Sequence, residues 1–370
     1  MSTNYEVIVV GAGAIGCSIG FHLAKAGLKV LILDRGQVGA GASNAASGTL
    51  AITEDISPYA DLERESFKIF PRIASEIKEL SGVDVELVEC GGLDLLLSEN
   101  DAQSAERNLI GASQFSETRL LTPEEVHDLE PELTKELMGA MYRPDTRRVN
   151  NQRVAEGFAR SAIRLGAVVE LGANVLALNV SENRTSGVRL SSGDVKSDVV
   201  IVASGAWSNE TLSLVGINLP MRPIRGQNLN LIPSKTSIKA VISESTGVLV
   251  PRNDGSVMAG VTIEDAGFEN RVTVQGIRTI MNKATSMVPS LENSTLNWAI
   301  AGLRPYTEDD VPIMGPIPDV RGLIIASGHY RSGILLSPIT GLLIKNLLVD
   351  DDIGPLSDFG LDRFSENPNV

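Results

Sequence analysis

Two arginines near the C-terminal end pose the first chemical question. Arg304 stands in NWAIAGLRPYTEDDVPIMGP, just after Trp298, Ala299, Ile300 and Ala301, in a Gly-Leu-Arg-Pro segment that reads as a turn. Arg331 follows in SGHYRSGILLSP. Both sit among residues that read as buried, in a chain with 46 Asp+Glu against 32 Lys+Arg. Burying a charge is costly unless something neutralises it. Either the arginines pair with carboxylates of the chain itself, Glu308, Asp309 and Asp310 being nearest, or they hold an anionic ligand. A guanidinium presents a planar fork that grips a carboxylate through two hydrogen bonds and fixes its orientation.

A second chemical pattern opens the chain. YEVIVV, a short apolar run, reads as a buried parallel strand. It runs into Gly11-Ala12-Gly13-Ala14-Ile15-Gly16, then a helical segment with Gly20 and Ala24 at a four-residue step, then KVLILD ending at Asp34. This strand–GxGxxG–helix–strand–acid order is the dinucleotide-binding fingerprint. Gly11 permits the tight turn, Gly13 lets the backbone approach a pyrophosphate, and Gly16 lets helix and strand pack closely. Asp34 is placed to accept a hydrogen bond from a ribose. The fingerprint does not separate NAD from FAD. The next segment, GQVGAGASNAASGTLA, is nearly all small residues, and reads as main chain passing close to a large flat ring.

Composition bounds the rest. At 370 residues two domains are expected. A formal net charge of −14 without a Lys/Arg run excludes nucleic acid as a partner. Cys17 and Cys90 form no CxxC pair, so neither a disulfide framework nor a zinc site is indicated. No basic leader precedes the first strand, and no apolar run reaches the ~18 residues of a membrane span. These features suit a cytoplasmic protein.

The elements that must position these residues follow from periodicity. Residues 59–82, 151–165, about 275–287 and 333–348 read as helices. TPEEVHDLEP carries capping signals, with Thr122 as N-cap, Pro123 at N1 and Glu125 at N3. VDVELVECGGLDLLLSE alternates like two strands about a Gly-Gly turn, and strands fall near Val168–Leu171 and Val175–Leu178. GVRLSSGDVKSDVVIVASGAW reads as a hairpin and a buried strand. Residues 219–300 are strand-rich and include the hairpin GVLVPRNDGSVMAGVT. Of three histidines, none has a second His or Cys at ligand spacing. His22 reads as packing, His127 as exposed, and a metal site is not indicated.

The order of motifs resembles the glycine/D-amino-acid oxidase group of flavoproteins, and within it the glycine oxidases of thiamine biosynthesis. The resemblance is carried by the Gly11/Gly13/Gly16 loop with Asp34, by Ser43, Ala46 and Gly48, by Val175, and by VVIVASGAWS, GLRP and GHYRSGILLSP. It implies a Rossmann-like FAD-binding domain (1–82, 146–218 and 302–370) interleaved with an α+β substrate domain (83–145 and 219–301). The latter would be built on a large mixed, mainly antiparallel sheet. It implies non-covalent FAD, since 302–316 holds no cysteine. The implied FAD contacts are Gly11, Gly13, Ala14, Ile15, Gly16, Asp34, Arg35, Ala42, Ser43, Ser47, Gly48, Thr49, Val175 and Gly205. His329, Tyr330, Arg331, Ser332, Gly333, Ile334 and Leu335 complete them, entering a helix whose N-terminus would face the flavin.

By the same resemblance Arg304 binds a substrate carboxylate, with Arg331 a second contact. The implied reaction is oxidation of glycine or another small amino acid or secondary amine, with O2 or another acceptor reoxidising the flavin. No protein base is needed if the amine binds unprotonated. Relatives of this type carry a tyrosine where this chain has Val248, so sarcosine, proline or a larger D-amino acid are equally open as substrates. A dehydrogenase with a non-oxygen acceptor, a flavin-binding subunit of a larger complex, and a homo-oligomer also stay open.

Overall fold

The computed structural model describes residues 4–53, 55–112, 117–235 and 238–364. The apolar runs Val7–Val10 and Val30–Asp34 are buried through Leu33, as strands covered on both faces must be. They lie within a six-stranded sheet in the order Ile313–Pro316, Leu323–Ser327, Val199–Val202, Val7–Val10, Val30–Asp34, Val168–Leu171. All neighbours run parallel except the first pair. The chain leaves the Val7–Val10 strand for Val30–Asp34 on one side and meets Val199–Val202 on the other. Strand order therefore reverses at the Gly11–Gly16 turn, the position where open α/β sheets bind ligands.

Helices Ala14–Lys25, Pro58–Ser81, Asn151–Arg164 and Gly333–Val349 contribute Phe21, Ile73, Phe158 and Leu336 to one apolar core. Close approach is enforced by small residues: a Cβ on Gly20 would lie 2.3 Å from Ile32. The opposite side is covered by the antiparallel strands Ala177–Ser181, Arg184–Leu190 and Gly193–Lys196, through Leu178, Val188 and Leu190.

A second, eight-stranded sheet runs Thr295–Thr307, Met221–Ile232, Val257–Gly260, Gly247–Pro251, Val241–Glu244, Gly92–Leu96, Gly139–Arg143, Arg119–Leu121. It is antiparallel except where Val241–Glu244 meets Gly92–Leu96. Leu229, Ile242 and Leu249 on one face pack against Ile280 and Ala284 of helix Val274–Met287. Alternation sends Asp94, Ser243 and Val248, cross-strand neighbours in register, to the other face. The fold is thus mixed α/β with a large, mainly antiparallel second sheet.

Three local expectations change. Gly302-Leu303-Arg304-Pro305 is no turn but the middle of the 13-residue strand Thr295–Thr307. That strand is the sheet's edge, where a proline costs no ladder hydrogen bond. Val88–Glu89 and Gly92–Leu96 join different sheets instead of pairing about Gly91. Val175 precedes its strand, which starts at Ala177. The capping box at Thr122 and Glu125 forms as read. Among the described residues no single helix is long and apolar enough to cross a membrane.

Burial pushes His22 and His329 each down to about 3, and neighbouring Lys25, Arg72 and Lys345 add to the fall at His22. An unfolded histidine titrates near ~6.5, so below that pH the unfolded state binds more protons than the folded one. The stability these two neutral rings contribute is full above ~6.5 and is lost as pH falls towards 3. Melting temperatures measured from pH 7 to 4 should fall less steeply in His22→Phe than in the parent; identical slopes would contradict the buried neutral ring.

Candidate functional site

A cavity of about 1660 Å³ opens where the C-terminal strand ends of the six-stranded sheet (Val10, Leu33, Ala203, Ser327) meet the open face of the eight-stranded one. That exceeds the ~300–1,000 Å³ of an ordinary ligand pocket. Every residue singled out from the sequence as a cofactor or substrate contact lines it except Gly16. Gly16 packs instead: a Cβ there would fall 1.9 Å from the Gly11 carbonyl.

At one end, Gly11 takes φ +116°, and a Cβ would meet the Ala203 carbonyl at 2.3 Å. Only glycine fits this turn. Gly13, at the N-cap of the following helix, caps no N–H with a side chain; the Ser43 hydroxyl instead accepts from the Ala14 N–H at 3.0 Å. Asp34 accepts from the Ala12 and Gly36 N–H groups, each at 2.7 Å. One lone pair stays free on each oxygen, enough for two ligand hydroxyls. The Arg35 guanidinium lies 4.2 Å over the ring of Trp207, beside Gly205, and both line the cavity.

The run of small residues is clamped between the two sheets. The Asn228 amide donates to the Ala45 carbonyl at 2.6 Å, and a Cβ on Gly302 would lie 2.4 Å from that of Ala45. Arg252 donates to the carbonyls of Val149 at 2.5 Å and Ser47 at 2.8 Å, and to the Asn151 side chain at 3.1 Å. Burial lowers its pKa to about 10, still charged at neutral pH. Ala42, Ser43, Ser47, Gly48 and Thr49 are thereby held at the cavity wall.

At the far end stands Arg304. Burial pushes its guanidinium below the ordinary range, and the charge of Arg331 pushes the same way. Its one hydrogen bond among the described residues goes to the Thr262 carbonyl at 3.1 Å, and no carboxylate pairs with it. Asp309, a candidate partner in the sequence, is paired with Arg363 at 2.8 Å. The guanidinium lies over Gly226, where a Cβ would come within 2.2 Å of both terminal nitrogens. Arg331 differs from expectation: it is exposed, and it makes no ion pair among the described residues while still lining the cavity. Tyr330 and Tyr306 form an edge-to-face pair at 5.0 Å between the two arginines' strand and loop.

His329 is buried and neutral, its Nε2 bonded to the Thr340 hydroxyl at 3.0 Å. From Ser332 the chain enters helix Gly333–Val349, whose N-cap side chain makes no capping bond. First-turn N–H groups there stay open to the cavity, which Gly333, Ile334 and Leu335 line. Two helix N-termini, a carboxylate with free lone pairs and glycine-cleared backbone fit a dinucleotide carrying an electron-accepting ring. Several lining residues had no sequence signal: Tyr59, Glu63, Gly226, and the Asp94–Arg143 ion pair with Ser243 beside it. All act through partners distant in sequence.

The sequence model of one family, DAO (FAD dependent oxidoreductase), matches residues 6–347. The chain is 33% identical over 370 residues to a glycine oxidase of Geobacillus kaustophilus, covering 98% of each. It is 30% identical over 371 residues to a glycine oxidase of Bacillus subtilis, again covering 98% of each. The crystal structure of a glycine oxidase from Geobacillus kaustophilus superimposes with a TM-score of 0.93 at 32% identity, over 97% of this chain and 99% of that one.

Gly226→Ala should force the Arg304 guanidinium aside without disturbing the strand. We expect the bound yellow cofactor and melting temperature to be kept, and a carboxylate ligand to bind about tenfold more weakly, the loss of ~1.4 kcal/mol from a charged hydrogen bond. Titration calorimetry with a simple carboxylate checks this; unchanged affinity would remove Gly226 from the site's design.

Proposed function

This chain belongs to the DAO family of FAD-dependent oxidoreductases and is an FAD-dependent amino-acid or amine oxidase; on that premise we propose that Arg304 holds the carboxylate of a small α-amino acid. The observation that carries this is a half-buried guanidinium facing the cavity that forms no ion pair among the described residues; Glu264, whose charge favours it, is itself paired with Arg225. An anionic ligand supplies the missing charge. Arg331, exposed at the same cavity, adds long-range attraction and a weaker second contact.

Gly11, Gly13 and the first turn of helix Ala14–Lys25 are the residues we assign to the pyrophosphate, Asp34 to the ribose, and Arg35 with Trp207 to the adenosine end. The clamped 42–49 run and the open end of helix Gly333–Val349 are assigned to the flavin. Under this reading the six-stranded sheet is the core of the FAD domain and the eight-stranded sheet that of the substrate domain. FAD, when bound, supplies the acceptor for a hydride from the substrate α-carbon. The chain's own task is orientation and exclusion of water. His329 is a poor base here, since burial lowers its pKa to about 3 and its Nε2 is bonded to the Thr340 hydroxyl. Cys90 and the buried Cys17 are free thiols and lie outside the cavity lining, which supports non-covalent FAD and a reducing, cytoplasmic setting.

Glycine, the substrate in the names of the relatives above, is one candidate. Val248 widens the choice. It faces the cavity beside Ser243 and Gly260, where a tyrosine would narrow it. We therefore place substituted small amino acids and secondary amines in the substrate class beside glycine, with O2 as the acceptor that returns the flavin to its oxidised form.

Arg304→Ala should keep FAD and raise KM for the amino acid at least ~100-fold, two charged hydrogen bonds being worth ~3 kcal/mol or more; steady-state kinetics that match the parent would sink the carboxylate assignment. Val248→Tyr should move preference towards glycine over bulkier amino acids by about tenfold, within the ~1–3 kcal/mol that apolar pocket changes deliver. A ratio of kcat/KM values unmoved by this substitution would place Val248 outside the substrate's reach.

A further inference from the structure

Glu63 stands on helix Pro58–Ser81 with 2% of its surface exposed, and among the described residues no lysine or arginine pairs with it. Its Oε2 accepts from the Thr53 N–H at 2.8 Å, and its Oε1 from the Ser332 hydroxyl at 2.8 Å. Ser332 Oγ in turn accepts from the Tyr59 hydroxyl at 2.8 Å. Burial, with the Glu63 charge adding to it, pushes the Tyr59 phenol above its usual range, so its proton stays on. The chain of hydroxyls is therefore directed, Tyr59 to Ser332 to the carboxylate. All three side chains line the cavity together with Gly333–Leu335.

Serine is a preferred N-cap, and Ser332 occupies that position, yet it makes no capping bond. Its hydroxyl proton is spent on Glu63 and its oxygen on Tyr59. Glu63 thus helps leave the helix end uncapped and at the same time sets a full negative charge beside it. A helix end carries about half a positive charge, so it tolerates one buried anion and receives a second less readily.

We propose that the Glu63 carboxylate, held beside the Ser332–Leu335 turn, sets the electrostatic level of the flavin site by its charge, opposing the negative charge that bound FAD gains on reduction. This rests on the assignment of the Ser332–Leu335 turn to the flavin. It adds no covalent step. Its consequence is a reduction potential lower than a neutral residue at this position would give.

The test uses FAD-loaded parent, Glu63→Gln, Glu63→Ala and Ser332→Ala. Glu63→Ala is included because a glutamine amide must turn its NH2 either towards the Thr53 N–H or towards Ser332, which reverses one of the two hydrogen bonds. The readouts are the two-electron midpoint potential by dye equilibration and the dissociation constant of sulfite, a small anion whose adduct bleaches oxidised flavin. Removing the carboxylate should favour the reduced form about tenfold, a rise of about 30 mV for a two-electron couple, and tighten sulfite binding several-fold. Ser332→Ala keeps the charge and should move both by less than about threefold. Potentials and sulfite constants within twofold of the parent in whichever Glu63 variant retains FAD, with only the melting temperature lowered, would reduce Glu63 to a structural tie and overturn the proposal. Neither readout involves an amino acid. A parent protein that holds FAD but oxidises no amino acid would therefore contradict the proposed substrate class and leave this test intact.

Discussion

A half-buried guanidinium that forms no ion pair among the described residues is the constraint on which the site depends. Arg304 keeps one backbone carbonyl as partner and otherwise faces open space. Such a charge is tolerable in a folded state only where solvent or an anion reaches it. The fold keeps that possibility open at several points. Gly226 clears the guanidinium's path, Arg363 removes Asp309 from competition, and Arg225 draws Glu264 into its own ion pair at 2.5 Å. Each contact denies Arg304 an internal partner or gives it room.

The same economy governs the nucleotide end. At both helix N-termini facing the cavity the N-cap residue itself makes no capping bond. In one, Ser43 reaches in from the clamped loop; in the other, the residue best suited to cap is turned towards Glu63. Orphan donors that a stable isolated helix would cover are kept for a ligand. The small-residue run between the sheets is then neither linker nor filler. Asn228 of the eight-stranded sheet and Arg252 of the loop after its strand Gly247–Pro251 hold its carbonyls, so the wall of one half of the molecule is fixed by the other half.

What could be read from the sequence was local. The Gly11–Gly16 turn and Asp34 declare themselves because their geometry depends on a few neighbouring residues, and the caps at Thr122 and Glu125 for the same reason. The segment around Arg304 misled because Gly302 and Pro305 are turn formers in most settings. Here Pro305 lies on an edge strand opposite Pro223, and Gly302 is required by Ala45. Arg331 read as buried from its apolar neighbours, which belong to the next helix and point elsewhere. Gly226 and Glu63 carry no local signal, since each acquires its role only when distant segments meet.

The most direct measurement is anaerobic mixing of the FAD-loaded protein with a small panel of substrates: glycine, sarcosine, proline and D-alanine, each beside its own amide. The amide keeps the amine and the α-carbon and lacks only the carboxylate. If Arg304 holds that carboxylate, the flavin absorbance bleaches with at least one of the acids, returns on admitting air, and stays unbleached with the matching amide at equal concentration. Equal bleaching by acid and amide would show that the guanidinium does not hold the substrate, and would contradict the account at its centre.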